Sequence, residues 1–154
     1  MLAAGVAAAL ALALVPACKD LAPEVGDRLT ACNNGDSNPN PTATINFKAQ
    51  IRPLMDGVGA KGCKNCHYYS VGTREGLDAT GLNLETLGAL RKGGRNTGAN
   101  IFVAGQPCNS AIVQKLRGTF GSTRMPKDGP YWTPEQIQLV IDWIAEGAKG
   151  ADNE

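Results

Sequence analysis

The sequence predicts a small, mostly α-helical domain preceded by an irregular arm. Three observations carry that expectation. Apolar residues recur at helical spacing in several stretches, most clearly Ile137, Val140, Ile141 and Ile144. Strand-like alternation is scarce. Glycine is abundant, at 19 of 154 residues, while aromatics make up only 5%, which suits a short, loop-rich chain. That length accommodates one compact domain and an appendage. With 15 Lys and Arg against 14 Asp and Glu the net charge is +1, so bulk electrostatics points to no nucleic acid or acidic membrane surface.

The chain opens with an apolar, Ala- and Leu-rich run, Leu2 to Val15, with no Lys or Arg ahead of it. The run is too short to span a bilayer comfortably but fits the apolar region of an export signal. Its ending, Leu14-Val15-Pro16-Ala17-Cys18, resembles a bacterial lipoprotein signal. Residues 1–17 are therefore expected to be a signal and Cys18 a lipidation site. The alternative is an ordinary cleaved signal that leaves Cys18 as a stray thiol. Residues 18–44 are dominated by turn formers, as in Asn33-Asn34-Gly35-Asp36-Ser37-Asn38-Pro39, and read as a tether. The folded domain is expected over residues 45–150.

Within it, Phe47, Ile51, Leu54 and Met55 repeat at helical spacing, with Pro53 placed to begin or kink the helix and Met55 on its core face. A glycine-rich stretch, 56–62, follows. Leu82, Leu84, Leu87 and Leu90 suggest a short helix from about Glu85 to Lys92, stopped by Gly93-Gly94. Asn109 or Ser110 can cap a helix carrying Ile112, Val113 and Leu116, which Gly118 ends. The last helix has Thr133 as N-cap, Pro134 at its first position and Gln136 to complete a capping box, and Gly147 ends it.

The chemistry lies in Cys63-Lys64-Asn65-Cys66-His67. C-x-x-C-H is the attachment signature of c-type haem. Two cysteines three positions apart lie one helical turn from each other, so both sulfurs can reach one porphyrin edge while the following imidazole ligates the iron. His67 is the one histidine of the chain. A structural zinc site needs a second ligand pair, which is missing. A thioredoxin-like pair expects a strand before it, where this chain has a glycine-rich loop. A Cys63–Cys66 disulfide would leave His67 unexplained.

C-type haem is attached outside the cytoplasm, where disulfides also persist. With Cys63 and Cys66 on haem and Cys18 on lipid, Cys32 and Cys108 remain of the five cysteines. A bridge between them would contribute roughly 4 kcal/mol in the chain-entropy model; two free buried thiols are the alternative.

A lone histidine leaves the sixth iron position to another residue, and methionine is its usual occupant in electron-transfer haem proteins. Met1 lies in the signal and Met55 on a core face, which leaves Met125. Its segment has no apolar periodicity, and Pro126 holds it extended. The alternative is a surface methionine and an open iron. From Arg91 through Lys127 every charged residue is positive: Arg91, Lys92, Arg95, Lys115, Arg117, Arg124 and Lys127. Arg91 and Arg95 are candidates for the haem propionates, and the rest could steer an acidic redox partner. A solvated face is the plain alternative.

These residues together resemble class I cytochromes c, and more closely the short cytochrome c domains of exported bacterial proteins. The resemblance covers about Ile45 to Ala148. It rests on Cys63-Lys64-Asn65-Cys66-His67, Gly81-Leu82-Asn83-Leu84, Ile101-Phe102-Val103-Ala104-Gly105-Gln106-Pro107, Met125-Pro126 and Ile141-Asp142-Trp143-Ile144-Ala145-Glu146-Gly147-Ala148. It implies a small helical fold wrapped around one covalent haem, held by Cys63 and Cys66 with His67 and Met125 on the iron. It also implies first and last helices that cross, bringing Phe47 and Ile51 near Ile141 or Ile144. The loop before Cys63 and the cysteine at 108 depart from the common pattern. The expected function is single-electron transfer, without bond-making chemistry, between redox partners at the outer face of a bacterial membrane or in the periplasm. The protein would act alone or as a subunit of a membrane electron-transfer complex. A haem enzyme or gas sensor with an open iron is the second reading, and a subunit whose haem is structural is the third.

Overall fold

The computed structural model describes residues 44–57 and 62–154. The expected signal, Cys18 and Cys32 lie outside the described residues, as does nearly all of the arm. Among the described residues there is no strand, and the helices are short. A π-helical turn, Phe47–Ile51, runs directly into α1, Arg52–Asp56. After it come α2, Lys64–His67, α3, Glu75–Thr80, and α4, Leu87–Lys92. Two 3-10 turns, Gly98–Ile101 and Pro107–Asn109, lead to α5, Ala111–Arg117, and α6, Pro134–Ala145, closes the helical set.

The π turn has a cause in the sequence. Pro53 has no N–H to give, and its ring would strike the carbonyl four residues back in a regular helix. The turn before it widens, so that Arg52 N–H reaches the Phe47 carbonyl. Phe47, Ile51 and Met55 nonetheless share one face and are all buried. Met55 is thus a core residue.

α6 forms as its sequence predicts. Thr133 accepts from Gln136 N–H, the Gln136 side chain accepts from Thr133 N–H at 2.9 Å, and Pro134 starts the helix. Its buried stripe is Ile137, Val140, Ile141, Trp143 and Ile144. Trp143 is the centre of packing. Phe47 lies against it with ring centroids 5.1 Å apart, and Phe102 meets it edge-on at 5.3 Å. The first and last helical segments therefore touch through Phe47 and Trp143.

The helix expected from about Glu85 begins later, at Leu87, with Thr86 as its cap and Gly93 (φ 68°) as its stop. α5 starts after Ser110, but the Ser110 hydroxyl does not cap it. That hydroxyl accepts from Val103 N–H at 2.8 Å and donates to the Gln106 carbonyl at 3.0 Å, fastening the preceding turns instead. α3 had no periodicity to announce it.

Beyond α6 the chain turns back. The Lys149 carbonyl accepts from the Trp143 indole at 2.8 Å. The Asp152 and Glu154 carbonyls take the first-turn amides of α4, Gly88 and Leu87, at 2.9 and 2.6 Å, donors that a helix start leaves unpaired. Glu154 O also accepts from Arg52 at 2.6 Å. The closing residues thereby join α1, α4 and α6.

Trp143→Ala should lower unfolding stability by about 3–5 kcal/mol, as for other buried aromatic deletions. Thr133→Ala should cost only about 1 kcal/mol. Urea denaturation checks both, and equal effects would mean that Trp143 is not the packing centre.

Candidate functional site

The five-residue motif is one turn of helix. The Cys63 carbonyl accepts from Cys66 N–H at 3.2 Å and from His67 N–H at 2.9 Å, while Cys63 N–H donates back to Met55 O at 2.8 Å. The turn is thus tied to the end of α1. Cys63 and Cys66 are both free thiols. Cys63 packs against the core, and its burial pushes the thiol pKa up to about 12. Cys66 Sγ lies 4.0 Å from the Thr73 hydroxyl.

His67 is 8% exposed. Its Nδ1 lies 3.1 Å from the Leu82 carbonyl. A carbonyl oxygen only accepts, so Nδ1 carries the proton and the neutral ring keeps its lone pair on Nε2. Burial pushes the imidazole pKa down, with the Leu82 hydrogen bond opposing, so the ring favours that neutral form. The same strip grips the backbone as well: Leu84 N–H donates to His67 O at 3.0 Å.

α3 covers the imidazole. A Cβ placed on Gly76 would lie 2.5 Å from Nε2, 2.6 Å from Cε1 and 2.9 Å from Cδ2. Such similar distances place it over the ring face, not along the Nε2 lone pair, where the two carbons would be clearly farther away. Gly76 thus lets the helix touch the ring while leaving its donor direction uncovered by that residue. Thr80 joins the two supports, donating to Gly76 O at 2.6 Å and accepting from Leu82 N–H at 3.2 Å.

Beside His67, the Tyr68 hydroxyl donates to Asp56 at 2.5 Å and accepts from Arg52 at 2.6 Å. Arg52 also donates to Leu84 O at 3.0 Å. Burial, reinforced by the Asp56 acceptor, raises the Tyr68 phenol above its ordinary pKa. In the sequence this trio is marked only by an Arg and an Asp four residues apart on one helix, at 52 and 56.

Met125 stands on a separate support, the last turn of α5. It is half-buried, and its N–H donates to Lys115 O at 3.0 Å. Of the two arginines expected near propionates, Arg91 faces the closing residues: it pairs with Asp152 and donates to Ala148 O at 3.2 Å and Gly150 O at 3.1 Å. Arg95 stands near the His67 supports. Its N–H donates to Thr80 O at 2.7 Å and its guanidinium to Asp78 O at 2.5 Å. Cys108 is disulfide-bonded, and Cys32, its expected partner, lies outside the described residues. Among the described residues no three or more His, Cys, Asp or Glu side chains converge.

Gly76→Ala should destabilise the protein by about 1–3 kcal/mol through overpacking. It should also displace the His67 ring, read as a shifted imidazole signal by NMR. An unmoved ring at unchanged stability would mean that α3 readily gives way. Tyr68→Phe should cost about 1–3 kcal/mol in urea unfolding, because Arg52 and Asp56 each lose a buried partner.

No family model, curated protein or solved structure matches the chain. What distinguishes the site is its own donor set, two free thiols and one oriented, neutral imidazole on a single helical turn.

Proposed function

We propose that this protein is a monohaem c-type cytochrome that carries single electrons between redox partners at the outer face of a bacterial membrane, alone or as a subunit of a larger complex. The observation that carries the reading is the Nδ1 hydrogen bond of His67 to Leu82 O. Iron-ligating histidines characteristically give their second ring N–H to such an acceptor, which fixes the tautomer and strengthens the donor nitrogen. The same helical turn carries two thiols with no disulfide between them. These residues fit a covalently attached haem.

Cys63 and Cys66 would hold the macrocycle as thioethers, and His67 and Met125 would ligate its iron. When bound, the haem supplies a one-electron iron couple, with a thioether ligand and burial favouring a raised potential. The chain's own residues provide a rigid frame for it. Leu82 O and Leu84 N–H hold His67 by side chain and backbone, Gly76 confines the ring face, and the Arg52–Tyr68–Asp56 bonds fasten α1 to the end of α2. A frame fastened at these points suits electron transfer, which asks for little rearrangement, better than bond-making chemistry, for which a second histidine would serve as acid or base. Lipidation at Cys18 would confine the carrier to a membrane surface, with residues 18–44 as its tether and a restricted search volume for its partners.

The visible spectrum of the purified holoprotein tests this reading, oxidised and reduced, with and without carbon monoxide. The expected result is a long-wavelength Met–Fe(III) band that Met125→Ala abolishes, and no response to carbon monoxide. Ready carbon monoxide binding without that band would instead give an open iron and favour a haem enzyme or gas sensor. Acid–acetone extraction should leave haem on the wild-type chain and release it from Cys63→Ser/Cys66→Ser. Haem retained by the double variant would sink the attachment.

A further inference from the structure

Three consecutive residues around Met125 are each fastened to the last turn of α5. The Thr123 carbonyl accepts from Lys115 Nζ at 3.2 Å. Arg124 Nε donates to Leu116 O at 2.8 Å. Met125 N–H donates to Lys115 O at 3.0 Å. A helix end leaves its final carbonyls without intrahelical donors and carries partial negative charge, so a guanidinium is well matched to this place.

Arg124 is also held along its length. Gly118 ends α5 at φ 76°, and a Cβ there would come within 3.3 Å of Arg124 Cβ, Cγ and Cδ. The absent side chain gives the arginine stem its bed. At the far end the guanidinium lies 4.2 Å from the centroid of the Tyr131 ring. Tyr131 belongs to the segment that leads into α6. Arg124 therefore links the end of α5, the Met125 backbone and the approach to α6.

We propose that Arg124 is a positioning residue for the Met125 sulfur, setting how firmly that sulfur keeps its place against competing ligands. The inference rests on Met125 as an axial ligand. A small ligand enters only when the loop has opened, so its apparent affinity scales with the open fraction. Weakening the Arg124 bonds raises that fraction, whereas the His67 side is fastened elsewhere and is unaffected.

Imidazole titration of the ferric holoprotein, followed at the long-wavelength band, tests this together with hydrogen exchange at the Met125 amide. Arg124→Gln should bind imidazole about tenfold more tightly, which is ~1.4 kcal/mol of loop opening, and should exchange the Met125 amide faster by a similar factor. Arg124→Lys should fall between it and wild type, because Lys keeps the charge but not the planar fork. Should Arg124→Gln fail to fold, Tyr131→Leu carries the test, with a smaller shift in the same direction. Wild-type imidazole affinity and exchange in the folded variants, against clearly tighter binding in Met125→Ala, would overturn the positioning role alone. An unchanged band and affinity in Met125→Ala would remove the axial role of Met125, and the inference with it.

Discussion

The hydrogen bond from His67 Nδ1 to Leu82 O is the constraint on which the site depends. It selects one tautomer, orients the ring and leaves one nitrogen able to donate a lone pair. Around it the neighbouring pieces fall into place. Leu84 N–H holds the His67 backbone, Thr80 ties the same strip to α3, and α3 lies against the imidazole face because residue 76 has no side chain. A short helical turn could not hold an imidazole this way by itself. Helices of four residues have little stability of their own, so α2 owes its geometry to tertiary contacts.

Those contacts trace back to a small core centred on Trp143. Phe47 brings the first helical segment onto α6, and Phe102 brings the turns before α5. The residues after α6 then close the arrangement from outside. Their carbonyls take the free amides at the start of α4 and one donor of Arg52. Arg91 completes that seam through Asp152, Ala148 and Gly150. Of the two propionate candidates, Arg91 is thus bonded into the closure of the fold, while Arg95 stands beside the His67 supports.

Met125 illustrates a second way to hold a residue in a loop-rich protein. Its loop has no apolar stripe to bury, so backbone carbonyls at the end of α5 and one cation stacked on an aromatic ring do the fastening. The His67 and Met125 supports are separate, one built on residues 76–84 and the other on α5. Two residues on separate supports can be adjusted one side at a time.

The sequence by itself determined the local features. α6 was legible to its cap, because a capping box, a proline at the first turn and an apolar stripe act over a few residues. The glycine stops of α4 and α5 were legible for the same reason, as was the core position of Met55, and C-x-x-C-H marked the candidate site by spacing alone. Only the tertiary structure decided what meets those residues from a distance. The acceptor for His67 lies fifteen positions away, and nothing in Leu82 marks its carbonyl for that role. α3 has no periodicity and appears where it packs on α2. Ser110 had the type and place of a helix cap, yet its hydroxyl bonds Val103 and Gln106 instead. Arg91 pairs across 61 positions of chain. Caps, stops and motif spacings arise from neighbours along the chain, whereas hydrogen-bond acceptors, close glycine contacts and ion pairs of this kind exist only once the chain has folded back on itself.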